Sequence, residues 1–366
     1  MKVLFDHQVF SSQVYGGISR YFCELMWGFA AAGRPDYEVS VRYTKNAYVR
    51  DLSRKNIPCL ATYGLGRLLF RRSAINQRCS EHTLAARGFD VFHPTYYDPY
   101  FLSHLRGKPF VLTVHDLIHE VFRDSGAWED GVRENKRVLI GRAAQVITVS
   151  ESTRSDLLRF YSVAPDKVSV TPLASSFHRL PPQRPEQTIP ERYLLFVGQR
   201  RRHKNFLFLI EAIHPLMRQD ASLHLVCTGD RPFRRNELDL MARLAVLQRA
   251  HHLHVCDAQL AWLYRHALAL VFPTLYEGFG LPVLEAFACD CPAVISRTSS
   301  LPEVGGDAAT YFDPENGSSI RDAISSVIYD SQQRQTIVQR GQRQLERFSW
   351  DRTVRQTQAI YESVLL

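Results

Sequence analysis

The chain has 366 residues, 45% of them hydrophobic and 22% charged, with 45 Lys+Arg against 37 Asp+Glu and a formal net charge of +8. That length is more than one hydrophobic core serves and predicts two domains, while the composition excludes a disordered or collagen-like chain. No stretch approaches the roughly 18 apolar residues of a spanning helix, the opening MKVLFDHQVF reads as a strand and not a signal peptide, and seven cysteines without a C-x-x-C pair argue against a disulfide framework or a zinc finger.

Short apolar runs rich in β-branched residues alternate with longer amphipathic segments, the pattern of parallel α/β architecture. Strands are expected at 3–5, 39–43, 91–93, 110–115, 145–149 and 168–170. A second series follows at 193–197, 223–228, 252–255, 268–272, 293–295 and 310–312. Between the two lies RLPPQRPEQTIP, 179–190, with four prolines and no apolar period, which reads as a linker. The predicted organisation is a domain over 1–178, the linker, a second domain over 191–348, and a C-terminal helix over 349–366 that packs back on the first domain.

Ligands of open α/β sheets bind at the carboxyl ends of strands, so the residues just past each run carry the functional weight. After the first strand, Gly16 and Gly17 stand before a helix expected to begin near Ser19, either as a plain turn or as amides offered to a phosphate. The segment 42–87 holds ten Lys/Arg and two acids, which equals the whole net charge. Within it, Arg67, Leu68, Leu69, Phe70, Arg71 and Arg72 form a basic amphipathic pattern. It fits an anionic membrane surface, a nucleic-acid patch or a core helix with a solvated basic face. Nucleic acid is disfavoured because no zinc-finger, RNP or helix-turn-helix signature accompanies the charge.

His115 and Asp116 follow the fourth run, and Ser150 and Glu151 the fifth. A lone strand-end histidine is ordinarily structural. After the seventh run comes GQRRRHKNF, where Arg200, Arg201, Arg202 and Lys204 read either as a solvated charge run or as a clamp on a diphosphate. The densest signal is EGFGLPVLE. Gly278 and Gly280 permit positive φ, Pro282 suits the first turn of a helix, and Glu277 and Glu285 accept hydrogen bonds from sugar or ribose hydroxyls. The plain alternative is a Gly-rich turn flanked by two solvated glutamates.

Six stretches together resemble the retaining nucleotide-sugar glycosyltransferases of family 4: YGGISRYF, LTVHDLIHE, ITVSESTRSDL, FVGQRRRHKNF, PTLYEGFGLPVLEAFACDCPAV and SSLPEVGGDAATYFDP. The resemblance implies the GT-B fold, two Rossmann-like doubly wound domains with a cleft between them. It places the donor mostly on the C-terminal domain and the acceptor mostly on the N-terminal one. It assigns Arg200 and Lys204 to the donor diphosphate, Glu285 to the ribose, Glu277 and His115 to the donor sugar, and the loop of Phe279, Gly280 and Leu281 to sugar and phosphate. Backbone groups near Val255 and Cys256 would meet the base. Gln199 departs from the common G-R clamp, which leaves open whether Arg200, Arg201 or Arg202 faces the phosphates.

The chain has no Asp-x-Asp to hold a cation, so no metal or other cofactor is expected; Arg200, Lys204 and helix N-termini would stabilise the leaving phosphate. Retention of configuration is implied, with Glu277 positioning hydroxyls; a covalent role for it is the alternative. YGGISRYF together with the KNF clamp resembles members that transfer mannose from GDP-mannose to glycan or lipid-linked glycan acceptors in surface-polysaccharide assembly. The expected location is cytoplasmic, peripheral on the inner membrane face. A GT-B-fold epimerase, or a transferase of UDP- or dTDP-sugars, is the alternative.

Overall fold

The computed structural model describes residues 1–52, 69–123, 130–229 and 231–366. Of the basic amphipathic segment, Arg67 and Leu68 lie outside the described residues, as do the side chains of Leu69, Phe70, Arg71 and Arg72 at the start of the helix Leu69–Ala86. No helix among the described residues is long and apolar enough to cross a membrane.

The chain divides into two compact units, Met1–Leu173 with Trp350–Leu366, and Ala174–Ser349. In the first, β1 (Lys2–Phe5), β2 (Asp36–Val39) and β3 (Val91–His93) form a parallel sheet in the order β2-β1-β3, and β4 (Val111–Val114), β5 (Gln145–Thr148) and β6 (Val168–Val170) form a second in sequence order. A parallel bridge from Phe92 to Phe110 joins β3 to the foot of β4. The second unit holds one six-stranded parallel sheet: β7 (Tyr193–Val197), β8 (His224–Thr228), β9 (Ala250–Leu253), β10 (Ala269–Phe272), β11 (Ala293–Ser296) and β12 (Ala309–Phe312), in the order β12-β11-β10-β7-β8-β9. The runs YLLFV, ALVF and AVIS are buried throughout because helices cover both faces of a parallel sheet. This is the GT-B fold, with a Rossmann-like unit in each half.

Two expected strands are misplaced. The second is Asp36–Val39 and not 39–43, because Asn76 Oδ1 takes the amides of Arg42 (3.0 Å) and Tyr43 (2.9 Å) out of any ladder. β9 ends at Leu253 and not at Val255, since Cys256 is already the N-cap of the helix Asp257–His266, its amide donating to Gln259 Oε1 at 3.1 Å.

The division near Leu173 falls ahead of the proline-rich segment, because the chain from Ala174 onward already folds on the second unit. Phe177 is buried edge-on against Tyr264, and the Gln183 amide donates to Ala258 O. The helix Trp350–Ser363 packs on the helix Gly17–Ala32 of the first unit, where Gly28 leaves room for Val354 and Phe29 meets Tyr361. A buried polar chain threads this packing. Tyr361 Oη lies 2.6 Å from His93 Nδ1, His93 Nε2 2.9 Å from Thr113 Oγ1, and Thr113 3.1 Å from Tyr21 Oη.

Candidate active site

In the second unit the ends of β7 and β10 bring the predicted residues together. β7 runs into Gly198 and a 3-10 turn at Arg202–Lys204; Asn205, left-handed at φ 56, then opens the helix Phe206–Gln219. The turn is pinned to the loop after β10 through one carbonyl. His203 O accepts from the Leu275 amide (2.7 Å) and from Thr274 Oγ1 (3.1 Å). That pinning sets Lys204 Nζ 2.5 Å from Glu277 Oε1, in an ion pair whose side chains are 16% and 14% exposed. A largely desolvated pair of this kind has its charges held in place before any ligand arrives.

The loop of Glu277 to Gly280 is fixed from the connection that follows β11. The Glu277 amide donates to Ser299 Oγ (2.9 Å), and Ser300 Oγ shares its proton between the carbonyls of Glu277 (2.9 Å) and Phe279 (2.8 Å). Gly280, at φ 101, is the N-cap of the helix Leu281–Ala288, with Pro282 in its first turn. A side chain at 280 would be strained at that φ and would put a Cβ 2.6 Å from Leu301 Cδ2. The helix therefore begins with its positive end at the loop, beside Glu277 and Lys204. One turn in, the buried Glu285 accepts from Tyr264 Oη at 3.0 Å. Burial, reinforced by Glu285, drives the Tyr264 phenol well above its ordinary value, so it stays a hydrogen-bond donor.

Arg200 is held deep in the same unit. Its Nε donates to Glu237 Oε2 (3.1 Å) and its Nη2 to the carbonyls of Arg231 (2.6 Å) and Pro232 (2.7 Å), while Arg202 is exposed. Val255 and Cys256 are half-buried and lie just past β9.

In the first unit, His115 follows β4 and is buried against Tyr21, with ring centroids 5.3 Å apart. Its amide donates to Tyr97 Oη (3.0 Å), and its Nε2 is buried without a hydrogen-bond partner. Burial lowers the imidazole to about 4; nearby Asp116 opposes the shift and Lys136 adds to it, so the ring is neutral near pH 7. Behind it Lys136 is fully buried between Glu120 Oε2 (3.1 Å) and Asp116 O (2.9 Å). Gly16 caps the helix Gly17–Ala32, which begins ahead of the expected Ser19. There the Gln13 side chain takes the Ser19 amide at 3.2 Å, occupying part of the amide set read as a phosphate cradle.

Sequence reasoning missed Glu237, Tyr264, Ser299 and Ser300, which act on the predicted residues from other elements. Of these only the Ser-Ser directly before LPEV left a local signal, that of a helix start.

The family described as "Glycosyltransferase Family 4" matches residues 15–174, and "Glycosyl transferases group 1" matches residues 181–344. The chain is 31% identical to the O-antigen chain mannosyltransferase B of Escherichia coli over 73% of its own length and 74% of that protein's. It is 29% identical to the O-antigen chain mannosyltransferase RfbU of Salmonella typhimurium over 59% and 60% of the two chains. The sucrose-phosphate synthase of Thermosynechococcus elongatus has the same fold, at a TM-score of 0.76, with 19% identity and coverage of 99% of this chain and 98% of that one. The family matches define a glycosyltransferase. The chain belongs to the group 1 glycosyltransferases of family 4.

Proposed function

We infer that this protein transfers a hexose from a nucleotide diphosphate sugar to a glycan acceptor, with mannose from GDP-mannose as the donor and a lipid-linked glycan of surface polysaccharide as the acceptor. The observation that carries the reading is the Lys204–Glu277 ion pair at the N-terminus of the helix Leu281–Ala288. An ammonium for the diphosphate and a carboxylate for sugar hydroxyls are already assembled where the ends of the neighbouring strands β7 and β10 meet. The mannosyltransferases among its relatives support the choice of sugar.

In this reading Lys204, Arg200 and the first-turn amides of Leu281–Ala288 stabilise charge on the departing diphosphate without a metal ion. Glu285 anchors the ribose, and Glu277 orients the donor sugar. In the first unit, burial holds His115 as a neutral imidazole. Transfer proceeds with retention, a donor phosphate oxygen taking the acceptor proton.

The test is release of nucleotide diphosphate from GDP-mannose, UDP-glucose and dTDP-glucose, with and without a synthetic prenyl-diphosphate oligosaccharide, in the presence of EDTA. The reading predicts acceptor-dependent release of GDP and an α-linked product by NMR. An epimeric nucleotide sugar formed without acceptor would overturn it in favour of an epimerase. Peripheral attachment to the membrane predicts co-sedimentation with anionic vesicles that salt reverses.

A further inference from the structure

Arg200 offers five N–H donors, and three of them are committed within the second unit. Nε donates to Glu237 Oε2 at 3.1 Å, and the two Nη2 hydrogens go to the carbonyls of Arg231 and Pro232 at 2.6 and 2.7 Å. The guanidinium also lies 4.9 Å from the Phe233 ring and 5.5 Å from the Phe206 ring, and those two rings stack nearly parallel. Such a fork cannot turn about its own bonds without breaking several contacts at once. Only the Nη1 edge takes no part in these bonds.

That edge lies toward the carboxyl ends of the adjacent strands β7 and β8. Each strand is followed directly by a glycine, Gly198 at φ 124 and Gly229 at φ 158. A Cβ on Gly229 would fall 2.8 Å from Gly198 O and 3.9 Å from Arg200 Nη1. The backbones here approach too closely for a side chain, so Nη1 lies beside bare backbone at the end of the sheet where open α/β folds hold ligands. Glu237 reaches Arg200 from the first turn of the helix Arg235–Arg243, where the same Oε2 also accepts the Arg234 amide at 2.7 Å. Its side chain is 3% exposed and that of Arg200 is 4%.

We propose that Glu237 is a positioning residue: it locks the Arg200 guanidinium with its Nη1 edge toward the donor diphosphate, so that phosphate recognition runs through Arg200 and not through the exposed Arg202. The inference rests on the donor site proposed above and adds to it the device that aims the arginine. A fixed guanidinium binds phosphate without losing side-chain freedom at the moment of binding. Its charge is balanced by Glu237, so geometry more than net charge gives the contact its strength.

The test is calorimetric titration of GDP and UDP, with guanosine and uridine as phosphate-free probes, into the full-length protein and four variants. For the nucleotide that wild type binds, Glu237→Met is expected to weaken the diphosphate about 10-fold, the size of one charge-assisted hydrogen bond. The nucleoside should be unaffected. Glu237→Gln, which keeps an acceptor for Nε, should restore binding to within about 3-fold. Arg200→Lys should lose as much as Glu237→Met, and Arg202→Ala should lose nothing. If Glu237 only balances charge, both of its variants bind the diphosphate as well as wild type or better, which overturns the proposal. Should Glu237→Met fail to fold, undiminished binding by Arg200→Lys, or a loss confined to Arg202→Ala, overturns it equally. Wild-type protein that binds neither diphosphate overturns the functional reading and this inference with it.

Discussion

Lys204 and Glu277 stand 73 positions apart in sequence and meet at 2.5 Å. The His203 carbonyl creates the meeting by tying the turn after β7 to the loop after β10. The contact uses one N–H of the ammonium and one oxygen of the carboxylate, so the pair retains further donors and a second carboxylate oxygen.

Under the proposed function Tyr264 acts on the ribose through Glu285. Its hydroxyl donates to Glu285 Oε2 at 3.0 Å, and Tyr264→Phe removes that bond alone. The expected result is a KM for the donor raised about 10-fold with kcat nearly unchanged. The deoxyribose form of the same donor should show no difference between wild type and variant. An equal penalty on both donors would place the role of Tyr264 in packing.

Gly280→Ala forces a side chain into a left-handed backbone and against Leu301. A loss of about 1–3 kcal/mol in urea denaturation is expected. A variant as stable as wild type would mean that the loop relaxes freely.

Lys136 is a fully buried ammonium paired with Glu120, whose other oxygen accepts from Tyr161 Oη at 2.5 Å. Lys136→Met leaves a buried carboxylate uncompensated and should cost about 3–5 kcal/mol. Adding Glu120→Gln, which removes that charge, should recover part of the loss. A single variant within about 1 kcal/mol of wild type would contradict the pairing.

Much of this was legible in the sequence, and the illegible part has a physical pattern. Gly280, Pro282 and the apolar runs act on their own backbone, so periodicity and turn chemistry located β7, β10 and the helix Leu281–Ala288. The second strand was misread because Asn76, far along the chain, takes two of its amides. Arg200 was legible as one of three strand-end arginines, but its confinement by Glu237 and two carbonyls depends on a helix and a turn whose approach no local pattern encodes. Tyr264 and Ser299 were missed for the same reason: a hydroxyl that orients a carboxylate or a loop has no preferred spacing from it in sequence.

Two buried histidines set an acid limit on stability. Burial lowers His93 to about 3, helped by His115, and lowers His115 to about 4. Both folded values lie below the ordinary 6.5. The unfolded chain therefore takes up protons first as pH falls, and stability drops from about pH 6.5 downward by up to roughly 1.4 kcal/mol per pH unit for each ring. Urea midpoints should be flat above about pH 7 and fall steadily toward about pH 4.5, with a shallower slope in His115→Asn. A flat profile across that range would show that neither ring is held neutral.

In the proposed function the paired Lys204 and Glu277 form the donor site of a hexosyltransferase. The most direct measurement is acceptor-dependent turnover of GDP-mannose by wild type, Lys204→Ala and Glu277→Ala, each checked for folding by its thermal transition. Each variant is expected to lose at least ~100-fold in turnover, as when a preorganised electrostatic contact is removed. Near-normal turnover by both folded variants would contradict it.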